Sequence, residues 1–516
     1  FNPLRERGLE AFRNPQSPFQ MLTPDVTEIS AQYHQVKTGG DLAAITGLCK
    51  WLIEADEMAR VAGNPALLDH DFIADYTQGF EAFADFCRQA DWADIERESG
   101  LSVAALAGAA RAYGESQAAI GVYGMGLTQQ RLGVENVNMI CNLMMLRGNV
   151  GRPGSGLCPV RGHSNVQGQR TVGITEKPEL APLDRLAEQY GFEPPREKGM
   201  TTVEVCEGVL DGTVRAFIGL GGNFLRAVPD SPRVEAAWTG LDLTVQIATK
   251  LNRSHLVNGR TAYLLPCLSR IEEDVQATGP QTVSMEDSTS CVHASDGTHP
   301  PASPDLKSEP AIVAGIAKAL LAPNPHVDWD AWTADYGQVR DAIEGTYPDK
   351  FADFNGRFRQ PGGFHRGNPA KERDFSSMEG GRARFIVPSS LSAVGFADQA
   401  DLFRLMTLRS NDQFNTTVYG YDDRFRGIQG TRDVVLINAA DMERLSLSEG
   451  QVVTLVTESE DGIDRRKGGL RVTAYDIPLG CLGAYYPECN VLAPVAHHSK
   501  QALTPAVKGI PVRIVA

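Results

Sequence analysis

The N-terminal third of the chain has the hydrophobic pattern of amphipathic helices. After Gly40 and Asp41, apolar residues recur at helical spacing from Leu42 to Ile53, which predicts a helix with an acidic start. The same glycine-containing turn is also a candidate for contacting a ligand. Residues 68–120 predict three further helices, one of them beginning at Ser102 as its cap, and a short helical stretch is predicted at residues 27–36.

The middle of the chain alternates short apolar runs with glycine-rich turns and helices. AAIGVYG (118–124) is predicted as a buried parallel strand, followed by the turn GMGLTQQ and a methionine-rich helix that belongs to the core. VRAFIGL, LDLTVQIAT and TAYLLPCL are predicted strands of the same kind, and GGNF (221–224) is a tight turn. This alternation predicts a parallel α/β sheet, in which ligands bind outside the carboxyl ends of the strands.

The last part of the chain has a different pattern. From about residue 393, short β-prone runs separated by turns predict a compact β-barrel. Before it, residues 270–310 are polar and are predicted as a long ordered loop, in which Glu286, Asp287 and His293 are interpreted as solvated charges and less readily as a metal or acid–base site. We predict three domains: 1–175 and 176–390, both α/β, and 391–516, the barrel.

Composition excludes several classes of protein. The 516 residues carry 49 basic and 64 acidic side chains, a net charge of −15, and this argues against a nucleic-acid-binding protein. No apolar run reaches the ~18 residues of a membrane span. The nine cysteines contain no CxxC pair and are expected to be reduced thiols of a cytoplasmic protein, with no metal ligand among them.

The segment LCPVRGHSNVQGQRTVG (157–173) carries the most distinctive chemistry. It follows the glycine-rich turn RGNVGRPGSG and combines arginine, histidine and amide side chains, which suit a polar anionic ligand. Two more polar clusters occur near residues 246–250 and in LRSNDQFNTT (408–417). Each cluster alone could be an ordinary surface loop. Together they imply a large, extended ligand, such as a nucleotide-bearing cofactor bound at both of its ends.

Several segments resemble the molybdopterin oxidoreductases, the superfamily of DMSO reductase and the formate dehydrogenases. They occur in the family's order over nearly the whole chain, and the branch is that of the YdeP-type, formate dehydrogenase alpha-subunit-like proteins. The most specific is CPVRGHSNVQG; the others are NPLRERGLEAF, GMGLTQQ, GGNFLRAVPD, TKLNRSHL, LRSNDQFNTTVYGYDDRFRG and AYYPECNVLAP.

The resemblance implies a fold, a cofactor and a set of contacts. The expected fold has parallel-sheet α/β domains and a C-terminal double-psi-type β-barrel. The expected cofactor is bis-molybdopterin guanine dinucleotide with molybdenum or tungsten. Arg161 matches the arginine that helps to hold formate, whereas His163 replaces the glutamine of the related motif VRGQNNVQG; both are the expected catalytic residues. The expected cofactor contacts are Gly40, Asp41, Gly124, Met125, Gly126, Gln129, Arg161, Gly162, His163, Asn165, Gln167, Gly221, Gly222, Asn223, Gln246, Thr249, Lys250, Thr407, Arg409, Ser410, Gln413, Asn415, Thr416, Tyr486, Asn490 and Lys508.

The resemblance also implies partners that the residues alone do not indicate. Many members of the family carry a [4Fe-4S] cluster in an N-terminal region, which is expected upstream of Phe1 together with the metal ligand. A small anionic substrate, formate or similar, and an unidentified electron acceptor are expected; nucleic acid and membrane are not. Two alternatives stay open: a binding or regulatory protein that keeps the fold without redox turnover, and a nucleotide-dependent α/β enzyme of another class.

Overall fold

The computed structural model of the chain describes residues 1–515. Its α-helices are α1 (Pro18–Leu22), α2 (Asp41–Val61), α3 (His70–Tyr76), α4 (Phe80–Gln89), α5 (Trp92–Ser99), α6 (Val103–Glu115), α7 (Met125–Thr128), α8 (Gly133–Leu146), α9 (Val166–Thr171), α10 (Leu183–Tyr190), α11 (Thr202–Asp211), α12 (Phe224–Ala227), α13 (Ser231–Trp238), α14 (Glu309–Leu320), α15 (Trp329–Ala334), α16 (Tyr336–Thr346), α17 (Pro348–Phe351), α18 (Phe354–Arg357) and α19 (Ala439–Arg444). None of these helices combines the length and the apolar composition that a membrane span requires.

The strands are mostly short. They are β1 (Ala11–Phe12), β2 (Thr27–Glu28), β3 (Thr77–Gln78), β4 (Ile120–Tyr123), β5 (Gly156–Pro159), β6 (Ala216–Leu220), β7 (Leu243–Ala248), β8 (Thr261–Pro266), β9 (Val275–Gln276), β10 (Gly279–Pro280), β11 (Val283–Glu286), β12 (Cys291–Ser295), β13 (Phe364–His365), β14 (Ala383–Arg384), β15 (Phe403–Leu408), β16 (Gln413–Phe414), β17 (Thr417–Val418), β18 (Val434–Ile437), β19 (Val452–Thr457), β20 (Arg466–Ala474), β21 (Cys481–Tyr485) and β22 (Lys508–Val515).

The chain folds into two compact units, each made of separate segments. The first contains residues 1–157, 226–232 and 370–515, and the second contains residues 158–225 and 233–369. The predicted three-domain division at residues 175 and 390 stays a prediction.

In the first unit, the long helix α2 is the centre of a helical core. Helices α4, α5, α6 and α8 all pack against it, and its Leu42, Leu52 and Ile53 are buried. The same unit contains the predicted barrel, which closes in the order β15-β21-β18-β20-β19-β22 around a core that includes Leu405, Val435 and Ile510. The six-stranded closed barrel confirms the prediction from the β-prone runs after residue 393.

In the second unit, β6, β7 and β8 form the predicted parallel sheet. Register pairs such as Gly219 with Gln246 place the carboxyl ends of β6 and β7 side by side. Helix α14 packs Ile312 against the apolar side chains of β7, and Ser308 caps its first turn. A second, antiparallel sheet contains β11, β12 and β13.

The stretch 270–310, predicted as a long loop, contains the strands β9, β10, β11 and β12. Three predictions for helices and strands are also wrong. Residues 70–115 form four helices where three were predicted, because left-handed Gly79 and the Asp91 cap each start a new helix. No helix forms within residues 27–36, where Thr27 instead pairs with Phe12 as part of β2. The third error concerns the strand after residue 118.

That strand, β4, is not buried as predicted. Ile120 and Val122 on one face are exposed, whereas Gly121 on the other face lies against Ile140 and Met144 of α8. The apolar run therefore reflects one packed face and not a strand covered on both sides. The methionine-rich helix α8 is core, as predicted, with Met139, Met144 and Met145 buried.

Candidate functional site

The first unit contains a cavity of about 670 Å³ between the start of α2, β4 and the barrel strands β15 and β22. Four predicted contact residues line it: Asp41, Gly124, Gly126 and Lys508. The turn at Gly124 and Gly126 is open, because a side chain at either glycine would meet no atom within 4 Å. Gly40 is different, since a side chain there would lie 2.5 Å from the carbonyl oxygen of Glu98. Gly40 therefore has a packing role at the start of α2.

A chain of buried amides holds Asp41 at the cavity. Gln130 donates from Nε2 to Asp41 Oδ2 (3.1 Å) and to the carbonyl oxygen of Gly126 (2.8 Å), and Asn136 donates to Gln130 Oε1 (2.9 Å). Burial raises the pKa of Asp41 to about 6, and the hydrogen bond from Gln130 acts in the opposite direction. The neighbouring Gln129, which was predicted as a contact, accepts the backbone N–H of Lys508 with its own carbonyl oxygen (3.0 Å).

Lys508 presents an amine of altered basicity to the same cavity. Its Nζ donates to the carbonyl oxygen of Thr407 and to Thr407 Oγ1 (3.3 Å). Burial, together with the positive charges of Arg409 and Arg426, lowers its pKa to about 7. The cavity thus carries two groups, Asp41 and Lys508, whose charge depends on pH near neutrality.

The predicted loop 409–416 is tied to residues 486–490 beside the barrel. Gln413 donates to the carbonyl oxygens of Asn415 (2.8 Å) and Tyr486 (2.6 Å), and the Tyr486 hydroxyl donates to Asn415 Oδ1 (2.8 Å). Ser410 donates its backbone N–H to Gln413 Oε1 (2.9 Å). These four predicted residues are therefore brought together, while Arg409 is exposed and Thr416 is half-buried at the edge of the loop.

A buried arginine that was not predicted holds this loop. Arg432 donates to Ser410 Oγ, to Gln413 Oε1 (3.0 Å) and to the carbonyl oxygen of Tyr486 (2.8 Å). Its charge is paired with Glu488 at 2.7 Å. Arg432 and Glu488 are 56 positions apart in a β-prone stretch, so no local sequence pattern predicts that they form a pair.

Asn490 is fully buried beside the same loop. It donates from Nδ2 to the carbonyl oxygen of Arg226 (2.8 Å), whereas its Oδ1 atom is buried without a hydrogen-bond partner among residues 1–515. Because a buried polar atom is nearly always paired in a folded protein, this oxygen is a candidate acceptor for a ligand.

In the second unit, the predicted residues cluster at the carboxyl ends of β6 and β7. Gly221 and Gly222 adopt positive φ, and Gly221 donates its N–H to the carbonyl oxygen of Ile247 (2.7 Å), which brings the two strand ends together. Asn223 is turned towards Ser254, whose hydroxyl donates to Asn223 Oδ1 (2.9 Å). Thr249 and Lys250 lie exposed at the same edge.

Gln246 lies in β7 just before this edge. It is buried, and its Nε2 donor has no hydrogen-bond partner among the described residues. The position agrees with the rule that ligands of parallel sheets bind outside the carboxyl ends of the strands.

The segment that carries Arg161 and His163 also belongs to the second unit. Arg161, Gly162 and His163 are exposed, and Ser164 next to them accepts a hydrogen bond from Arg270. Two residues further on, the side chains turn inwards: Asn165 and Gln167 make their hydrogen bonds to the β11–β12 hairpin. The predicted residues of this segment thus divide into an exposed part and an anchored part.

Sequence reasoning missed one residue in this hairpin, Glu286. It was interpreted as a solvated loop charge, but its side chain is only 2% exposed and is paired with Arg366 at 2.7 Å. Asp287 Oδ2 and His293 Nε2 form a separate hydrogen-bonded contact at 3.2 Å. Within residues 1–515, no cluster of three or more His, Cys, Asp or Glu side chains could hold a metal, and all nine cysteines are free thiols.

Comparison with known proteins defines the class. Residues 9–254 match the family described as molybdopterin oxidoreductase. The chain belongs to the molybdopterin oxidoreductase family, whose members bind a metal through molybdopterin.

The chain is also similar to individual members of known sequence or structure. The chain is 45% identical over 519 residues to Protein YdeP of Escherichia coli K12, which covers 99% of this chain and 68% of YdeP. It is also 28% identical over 232 residues to formate dehydrogenase H of the same organism, covering 43% of this chain and 31% of that enzyme. Among solved structures, acetylene hydratase from Pelobacter acetylenicus has the same fold, with a TM-score of 0.61, 14% identity and coverage of 94% of this chain and 71% of that one.

Proposed function

We propose that this chain is the larger part of the catalytic subunit of a molybdenum- or tungsten-dependent oxidoreductase that acts on a small anionic substrate, formate or similar. The observation that carries the proposal is the pair of buried amide atoms without partners at two predicted cofactor positions, Gln246 Nε2 and Asn490 Oδ1. Gln246, in the second unit, offers a donor and Asn490, in the first unit, offers an acceptor, and each suits the polar edge of a guanine or a pterin.

The remaining predicted contacts fit the guanine dinucleotide form of the cofactor. The open turn at Gly124 and Gly126 and the turn at Gly221 and Gly222 would offer backbone N–H groups to pyrophosphate oxygens. Lys508, with a pKa near 7, would add a positive charge once an anion is bound. When bound, the metal and its pterins supply two-electron redox chemistry, and the protein supplies orientation and charge.

Arg161 and His163 are the proposed substrate residues. The exposed guanidinium of Arg161 would bind the carboxylate of an anion such as formate through charge-assisted hydrogen bonds. His163, two residues away, would orient the substrate or exchange a proton with it. The similarity to formate dehydrogenase H of Escherichia coli supports formate as the first substrate to test.

Electrons would leave through a [4Fe-4S] cluster that residues 1–515 do not hold, since no suitable cysteine cluster occurs among them. In this proposal the cluster and the metal ligand belong to an N-terminal region of the same catalytic subunit, the enzyme is cytoplasmic, and its electron acceptor is a separate molecule. A guanine-bearing pterin and about one molybdenum or tungsten per chain, in protein purified without oxygen, are the expected findings. Absence of both from cells that make the cofactor would refute the proposal.

The role of Arg161 can be tested in the metal-loaded protein. Arg161→Ala removes the charge that holds the anion, so kcat/KM for formate should fall about 10- to 150-fold, the value of one charge-assisted interaction. Metal and pterin content should stay at the wild-type level. Arg170→Ala, an exposed arginine of α9 that is paired with Glu176, is the matched control and should leave both quantities unchanged. Loss of metal from Arg161→Ala would show that Arg161 anchors the cofactor and does not bind the substrate.

A further inference from the structure

Glu286 is the buried fixed point to which the Arg161–Gln167 segment is attached. Its Oε1 atom accepts hydrogen bonds from Gln167 Nε2 (2.8 Å) and from Arg366 Nε (2.7 Å). Its backbone N–H donates to Asn165 Oδ1 (3.1 Å). The Oε2 atom is buried and has no partner among the described residues. One carboxylate oxygen and one backbone amide thus connect the end of β11 to the start of α9.

The segment is shaped for this close approach. Asn165 adopts a left-handed conformation (φ 63°) immediately before α9, and Gln167 also donates to Ser290 Oγ (3.0 Å). A Cβ atom at Gly168 would lie 2.0 Å from Asn165 Oδ1 and 3.1 Å from the Cβ atom of Glu286, so a larger residue here would displace the Asn165 side chain that bonds to Glu286.

The exposed residues depend on this anchor. Arg161 lies four positions before Asn165. Between them, Ser164 accepts a side-chain hydrogen bond from Arg270 of the same unit. The turn at Asn165 is therefore a fixed point next to the exposed residues Arg161 and His163. A buried carboxylate is costly unless it is well paired, and such pairs are best known for fixing one arrangement over others.

We propose that Glu286 is a positioning residue for the substrate segment: through Gln167 and Asn165 it holds Arg161 and His163 in one orientation. The proposal rests on the proposed function for the roles of Arg161 and His163. The anchoring itself does not depend on the metal, so it can be tested separately by the exchange of backbone amide hydrogens.

The test compares four variants of the chain by hydrogen–deuterium exchange of residues 158–171. Glu286→Ala and Gln167→Ala should each speed the exchange of this segment by about tenfold or more, because each removes a buried charge-assisted hydrogen bond. Glu286→Gln should stay close to wild type, since its amide oxygen can replace Oε1 as the acceptor. Glu273→Ala, an exposed glutamate of the same stretch, is the matched control and should change nothing.

The outcomes separate the two claims. Wild-type exchange in both Glu286→Ala and Gln167→Ala would overturn the proposal, as would faster exchange spread evenly over the whole unit. In the metal-loaded enzyme, Gln167→Ala and Glu286→Ala should raise KM for the anionic substrate at normal metal content, and Glu286→Gln should restore it. If wild-type protein shows no turnover, the proposed function fails, but the exchange result still decides whether Glu286 anchors the segment.

Discussion

The buried ion pair between Asp230 and Arg465 makes the sharpest prediction about stability. Each side chain is 2% exposed, and two hydrogen bonds join them, Nε to Oδ1 at 2.6 Å and Nη2 to Oδ2 at 2.7 Å. Asp230 belongs to the short segment 226–232, whereas Arg465 precedes the barrel strand β20. The pair therefore fastens an isolated segment of the first unit to its barrel.

The expected loss of unfolding free energy follows from the unpaired carboxylate that Arg465→Met would create. The Asp230 carboxylate would stay buried without its guanidinium, and breaking a buried pair in this way costs about 3–5 kcal/mol. Arg465 also binds Asp461 at 2.7 Å, but that side chain is 30% exposed and can regain water, so it adds little. We expect the free energy of unfolding of the first unit to fall by about 3–5 kcal/mol.

Urea unfolding of the chain, followed by far-ultraviolet circular dichroism, measures this loss. The adjacent Arg466→Met is a matched control, because its pair with Asp464 is 57% and 62% exposed and should be worth less than about 1 kcal/mol. The double variant Asp230→Asn with Arg465→Met should recover most of the loss, since no buried charge remains. An Arg465→Met protein within about 1 kcal/mol of the Arg466→Met protein would refute the reasoning.

Two further predictions concern acid stability and the second predicted loop. Burial, aided by Arg131, lowers the pKa of His497 to about 4, so between pH 6.5 and 4 the unfolded chain binds a proton that the native chain does not. Stability should fall across this window by up to about 3 kcal/mol, and His497→Asn, but not His498→Asn, should remove the fall in urea midpoints measured at pH 7 and 4.5. Arg432→Met removes three hydrogen bonds to the polar loops of the barrel, so amide exchange of residues 409–416 should quicken about tenfold. Arg424→Met, on an exposed arginine of the same stretch, should not have this effect, and equal exchange in the two proteins would contradict the assigned role of Arg432.

The parts of the fold that local pattern determines were predictable. The runs at 214–220, 241–249 and 261–268 became β6, β7 and β8 of a parallel sheet, because apolar, β-prone stretches between glycine turns leave few other structures. The errors lie where tertiary contacts decide. Residues 27–36 lack a helix because Thr27 pairs with Phe12, and β4 is exposed because only its Gly121 face meets α8.

The candidate site also has a part that the sequence predicts and a part that only tertiary contacts determine. Residue chemistry pointed to Gln167 and Gln413, but not to the groups that hold them: Gln167 contacts Glu286 across 119 positions, and Gln413 contacts Arg432. A sequence shows which side chains can form hydrogen bonds, but not which of them the protein satisfies internally. Glu286 was therefore interpreted as a solvated charge, although it is buried.

This distinction ranks the predicted cofactor contacts. The side chains of Gln167 and Gln413 are bonded within the protein, so a ligand would have to compete for them. Gln246 and Asn490 each keep one buried atom without a partner, a cost of roughly 1–3 kcal/mol per atom that a folded chain seldom tolerates without a reason. A ligand group that pairs with either atom would remove that cost at its position. Gln246 and Asn490 are therefore better candidates for direct contact with a ligand than Gln167 and Gln413, whose side chains hold their own loops.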